Sequence, residues 1–212
     1  METKNTNVIE NNVVTLSGEI TSKGEFSHEV YKEGFYSYTL SVKRLSEEVD
    51  NVVLTISERL INPEALAVGT KVTVTGQFRS YNLRTESKNR LILSVFVREI
   101  SEDKEEKLDK NSIEIRGYIC KKPNYRKTPL GREICDLLIA VNRPYGKSDY
   151  IPCICWGRNA RYTSDFEVGQ EISINGRIQS RTYTKKLSDT ESEERTAYEV
   201  SISKIEAITN EE

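Results

Sequence analysis

The sequence has no apolar run approaching the roughly 20 residues that cross a bilayer, and its first residues, METKNTNVIENN, contain no apolar stretch of the secretory kind. A cytoplasmic protein with no membrane partner is therefore expected. Histidine is almost missing: His28 is the only one, it lies in the polar segment 24–33, and it reads as a solvated loop residue. One histidine leaves no Ser/His/Asp or Cys/His arrangement with internal support. No GxxxxGK[ST] phosphate loop occurs, and the acidic pairs Glu47-Glu48 and Glu193-Glu194 sit in charged loops where solvation explains them. Neither an enzyme nor a cofactor is expected. The four cysteines, Cys120, Cys135, Cys153 and Cys155, contain no CxxC pair and fall in strand-like segments. They read as reduced, buried apolar side chains, with no metal site.

What the chain does have is a repeat of itself. Gly18 recurs as Gly117, Arg44 as Arg143 and Asp50 as Asp149, each 99 residues on; Val68-Gly69 recurs as Val168-Gly169 and Gly76 as Gly176, each 100 on. A length of 212 residues suits two domains of about 100 residues each. Features that both copies share report the fold, and features that differ report the task.

Both copies alternate apolar residues at period two, the signature of half-buried strands. Val14, Leu16, Gly18 and Ile20 match Ile113, Ile115, Gly117 and Ile119. Tyr36, Tyr38, Leu40 and Val42 match Cys135, Leu137, Ile139 and Val141, and Val52, Leu54 and Ile56 match Ile151, Cys153 and Cys155. A connector with a short helix or turn (57–67; 158–166) leads through the Val-Gly turn to Val72, Val74, Gly76 and Phe78, matched by Ile172, Ile174, Gly176 and Ile178. A last strand closes each copy (91–100; 196–205). Three strands, a connector and two strands, with glycines inside strands where a small barrel bends, predict an all-β chain of two tandem five-stranded OB-fold barrels. Other five-stranded barrels stay open at this point. The expected divisions are a disordered 1–11, a first barrel over 12–100, a charged linker over 101–110, a second barrel over 111–207 and a tail over 208–212. The acidic stretch 187–195 reads as a mobile loop.

Charge and aromatic placement separate the copies. Residues 113–187 carry 14 Lys and Arg against 7 Asp and Glu, whereas residues 1–110 carry 15 against 18. With Ile151, Cys153 and Cys155 inward, Tyr150, Pro152, Ile154 and Trp156 point outward. With Ile172, Ile174 and Ile178 inward, Arg177, Gln179, Arg181 and Tyr183 do so. The first copy has Asn51, Ser57, Gln77, Tyr81 and Leu83 where the second has Tyr150, Trp156, Arg177, Arg181 and Tyr183. Exposed rings among arginines suit unpaired nucleic acid, because a ring offers any base a stacking platform while Arg and Lys follow the phosphates. Aromatics and Arg are also enriched in oligomer interfaces, so a protein-interaction or assembly scaffold remains the competing reading.

On these residues the second copy resembles the bacterial single-stranded DNA-binding protein family. The resemblance is carried by PNYR (123–126) with TPLG (128–131), AVNR (140–143), DYIP (149–152), WG (156–157) followed by Ala160, VG (168–169) and GRIQSRTY (176–183), about half the chain. It implies an OB-fold that wraps single-stranded DNA around aromatics, here Tyr150, Trp156 and Tyr183, with Tyr145 in the loop after Arg143. Arg126, Arg143, Arg158, Arg177, Arg181, Lys185 and Lys186 are the expected phosphate contacts. It also implies a nucleoid-associated homodimer presenting four OB-folds and serving DNA replication, repair or recombination. The family's acidic, Pro-Phe-containing tail tip has no counterpart in AITNEE (207–212), so recruitment of replication or repair proteins by that route stays open. The first copy matches the family through its core pattern alone. Tyr81, Arg79, Arg84, Lys43 and Arg44 are its candidate weaker contacts, with Tyr31 and Phe35 as further rings, while Tyr36 and Tyr38 read as core. Stacking alone does not tell DNA from RNA, since only contacts to the 2′-hydroxyl can, and RNA stays open.

Overall fold

The computed structural model describes residues 10–84, 89–103, 109–186 and 192–209. The first copy comprises β1 (Asn12–Ile20), β2 (Glu25–Val30), β3 (Glu33–Lys43), β4 (Val49–Ser57), β5 (Lys71–Arg84) and β6 (Asn89–Glu102). The second comprises β7 (Asn111–Ile119), β8 (Asn124–Lys127), β9 (Glu133–Arg143), β10 (Lys147–Trp156), α1 (Arg158–Thr163), β11 (Glu171–Lys186) and β12 (Ser192–Ala207). In the first copy β1 pairs with β3 and β5, β3 with β4, β5 with β6, and β4 runs parallel to β6. The second repeats this with β7, β9, β10, β11 and β12. These are two tandem five-stranded OB-fold barrels.

The alternating residues fill the barrels as their period dictates. Leu16, Leu40, Leu54, Val74 and Phe78 are fully buried, as are Ile113, Ile139, Ile151, Ile172 and Ile178. Tyr38 joins them and donates its hydroxyl to the Pro63 carbonyl at 3.1 Å, while Tyr36 packs partly buried against the same core. Cys135, Cys153 and Cys155 are buried, and burial pushes the Cys155 thiol up to about 12. The ladder slips by one residue at Gly76 and again at Gly176. A Cβ at either position would collide with a backbone oxygen of the facing strand, Phe96 or Ser201, so only glycine lets the strands meet at the bulge.

The connectors differ for a local reason. In the second copy Arg158–Thr163 forms a helix with Ala160 buried. In the first, Pro63 disfavours helical geometry at Asn62, and Asn62 instead closes a turn, accepting from the backbone amides of Ala65 at 2.9 Å and Glu64 at 3.1 Å.

Three expectations are corrected. β2 and β8 are additional strands, paired to β3 and β9; every residue in them is exposed, so no alternation marks them. His28 is therefore a strand residue. The linker is shorter than 101–110, because Ser101 and Glu102 pair with Thr73 and Val72 and the Lys110 carbonyl accepts from the Ser17 amide at 2.8 Å. The acidic loop is shorter too: Ser192–Arg195 pair with β11. Residues 1–9, 104–108, 187–191 and 210–212, where the remaining expectations of disorder, linker and loop fall, lie outside the described residues.

The barrels join edge to edge. β1 and β7 pair antiparallel, from Asn12 opposite Ile115 to Leu16 opposite Asn111, giving one 12-stranded sheet. Because the backbone of Asn12 is turned to the other copy, its side-chain amide serves β5 instead, donating to the Phe78 carbonyl at 2.7 Å and accepting from its amide at 3.0 Å. Asn111 does the same for Ile178, at 2.7 and 2.8 Å.

Candidate nucleic-acid interface

Two buried carboxylates clamp the seam and decide which arginines remain outside it. Asp50 is fully buried and accepts from the Ser180 amide of the other copy at 2.8 Å, while the Asn51 amide donates to the Ser180 hydroxyl at 3.0 Å. Asp149, also fully buried, accepts from the Ser80 amide at 2.7 Å, and the Tyr150 amide donates to the Ser80 hydroxyl at 2.7 Å. Arg44 binds Asp50 with two nitrogens at 2.7 and 2.6 Å, and Arg177 reaches the same carboxylate at 3.2 Å. Arg143 lies 3.1 Å from Asp149. Burial raises the Asp149 pKa above the ordinary carboxylate value, against the lowering effect of the Ser80 amide and of Arg143 and Arg79.

The expected phosphate contacts thus divide. Arg143, Arg177 and Arg44 are engaged at the seam, and Arg126 is paired with Asp136 at 2.8 Å. Arg158 and Arg181 are exposed. Arg79 is half-buried over the Phe96 ring at 3.8 Å, and Lys43 is exposed beside the seam. The side chains of Arg84, Lys185 and Lys186 lie outside the described ones.

The rings behave as alternation predicts, with one exception. Tyr150 is 43% exposed, Trp156 40% and Tyr183 38%. Ile154, on the same side of β10, is nearly buried at 5%, so exposure does not extend along the whole strand. Tyr145 is fully open on the Pro144–Gly146 turn, where its positive φ of 64° tips it off the ladder. Arg181 sits 5.8 Å from the Tyr183 ring, and Tyr81 is exposed at the matching part of β5.

Trp156 stands between two grooves. One, of about 590 Å³, runs from Arg44, Val49 and Asn51 of the first copy across Gln179, Arg181 and Thr182. The other, of about 420 Å³, is lined by Lys127, Gly131 and Arg132. Lys127 and Arg132 were missed in the sequence; they flank the TPLG turn, and a search for basic residues within a turn's reach of a candidate ring would have found them. A planar ring with cations on both sides suits a strand whose bases stack and whose phosphates run alongside.

The molecule is an all-β protein built of two tandem OB-folds, with one face of rings and cations. Residues 110–208 match the model of the "Single-strand binding protein family". Over 83 residues the chain is 34% identical to a single-stranded DNA-binding protein of Clostridium tetani, covering 36% of this chain and 57% of that one. Over 80 residues it is 30% identical to single-stranded DNA-binding protein B of Bacillus subtilis, covering 34% of this chain and 71% of that one. The chain belongs to the single-strand binding protein family. It spans about half the length of most of the curated relatives it matches. The fold as a whole is shared with the crystal structure of the wild-type single-stranded DNA binding protein from Thermus aquaticus, at a TM-score of 0.71 and 17% identity over 95% of this chain and 94% of that one.

Proposed function

We propose that this protein binds single-stranded DNA without sequence preference, by stacking bases on Trp156, Tyr183 and Tyr150 and holding phosphates with Arg181, Arg158, Lys127 and Arg132. The second barrel carries most of the contact. The observation that supports this is the position of Trp156, half-exposed between two grooves with cations on either side. The protein acts by binding rather than catalysis, in DNA replication, repair or recombination, and two chains associate to present four OB-folds. Among the described residues no helix is long and apolar enough to cross a membrane.

Trp156 is the only tryptophan, which makes the test direct. Oligo-dT should quench or shift its fluorescence, and the complex should weaken as salt rises through release of counterions. An unchanged spectrum at low salt would reject the proposal. Matched DNA and RNA oligomers in competition decide the preferred sugar, and sedimentation of the free protein decides the number of chains.

A further inference from the structure

The outer face of the first barrel is not bare. Phe35 on β3, expected as an accessible ring but buried at 7% exposure, lies opposite Ser57, as Ile134 lies opposite Trp156 in the second barrel. The His28 imidazole on β2 lies flat against Phe35, with centroids 4.9 Å apart and planes 8° apart. Phe35 in turn meets Phe96 on β6 at 5.7 Å, and the Arg79 guanidinium on β5 covers Phe96 at 3.8 Å. Four planar groups from four strands form one row. The positions of Phe35, Phe96 and Arg79 are occupied in the second barrel by Ile134, Ser201 and Gln179, so the row belongs to the first copy alone.

One end of the row is cationic. Arg79 shares its surroundings with Arg98 and with Arg143 of the second copy, and Asp149 is the carboxylate that opposes them; burial, then Arg143, pushes the Arg79 pKa down to about 10. Arg98 meets Glu10 only at 3.8 Å. With Arg143 on Asp149 at 3.1 Å, the neighbouring guanidiniums of Arg79 and Arg98 leave positive charge to be met by an anion. This end also adjoins the strand of Tyr150, whose amide is bonded to Ser80. At the other end His28 is exposed. Nearby carboxylates are engaged with protein groups: Glu33 with Ser57 and Arg59, and Glu58 with the Gly34 amide. Glu25 and Glu29, on the same strand as His28, are exposed. The row therefore offers a planar stacking surface at His28 and an anion site at the arginines.

We infer that this row is a second nucleotide site, on which a base of an unpaired DNA strand stacks against His28 while its phosphates pass Arg79 and Arg98 on the way from the second copy. The inference rests on the single-stranded DNA reading proposed above, and it adds a strand path onto the first barrel through residues with no counterpart in the second.

The only histidine and the only tryptophan lie in different copies, so each reports one site. An oligo-dT of about 8 nucleotides fits one barrel, and one of about 30 reaches both. The short oligomer should quench Trp156 and leave the imidazole proton resonances of His28 in place, whereas the long one should quench Trp156 and move those resonances upfield. His28→Ala, a change at an exposed side chain, should weaken the long oligomer at least about fivefold and the short one not at all. Arg98→Gln should lower the salt dependence for the long oligomer only. Quenching of Trp156 with unmoved His28 signals and unchanged affinity of His28→Ala would overturn the inference and leave the single-stranded DNA reading standing. No response of Trp156 to either oligomer would overturn that reading, and the inference with it.

Discussion

At the end of its third barrel strand the second copy places Trp156, half-exposed between two grooves. The first copy places Ser57 there, buried at 6% exposure with its hydroxyl on Glu33, and sets its rings one strand away at Phe35 and Phe96. At the seam the copies agree: Asp50 with Ser180 mirrors Asp149 with Ser80, and Asn12 mirrors Asn111. Even the seam arginines are shared with their positions exchanged. Arg177 donates to Gln179 in the second copy, where Arg79 donates to Gln77 in the first. What the duplication kept is the machinery that holds two barrels together, and what it varied is the face turned to solvent.

The seam predicts the largest effect. Asp50→Ala strands two guanidiniums and the Ser180 amide, and should cost about 3 kcal/mol in urea melts, toward the lower bound for a broken buried pair because both arginines keep contact with water. Asp149→Ala should cost less, since burial already disfavours its charge; equal losses would remove the asymmetry between the clamps. The face comes next. Trp156→Ala should weaken oligo-dT by about 1–3 kcal/mol by gel shift, and Ser57→Ala should leave it unchanged, so matching losses would show that the copies bind alike.

Asp149 has a native pKa raised above its unfolded value, so the native state holds the proton more tightly and its stabilising contribution is complete only below the unfolded value of about 4. That contribution falls as pH rises to the raised native value and is flat beyond it. Relative to Asp149→Asn, the wild-type protein should therefore lose stability across this window, and a pH-independent difference would contradict the burial effect. The smallest effect is on salt dependence. Lys127→Gln should reduce the log–log salt slope of binding by about 1, while Lys23→Gln in the first copy should not change it.

Much of the fold could be read from the chain because burial in a barrel follows period two, and the two copies checked one another residue by residue. The rings Tyr150, Trp156 and Tyr183 were legible for the same reason, since alternation assigns a side. Ile154 shows the limit: alternation gives a side of the strand, not whether something covers it. β2 and β8 were invisible because they have no buried face, and His28 read as a loop residue because the ring it lies on, Phe35, reaches it only through strand pairing. That Arg177 meets a buried carboxylate was not legible, because Asp50 belongs to the other copy, whereas Asp149 lies on the strand paired with that of Arg143.

The sequence by itself determined the number of barrels, the side of each strand that faces inward and the copy that bears the exposed tryptophan, all of which follow from spacing of a few residues or from the repeat. Only the tertiary structure decided which arginines face solvent and which face Asp50 and Asp149, and that the first copy has an aromatic row of its own. Those outcomes depend on contacts between residues as far apart as Asp50 and Ser180 or Ser80 and Asp149, where the chain has folded back across the seam and the local period carries no information.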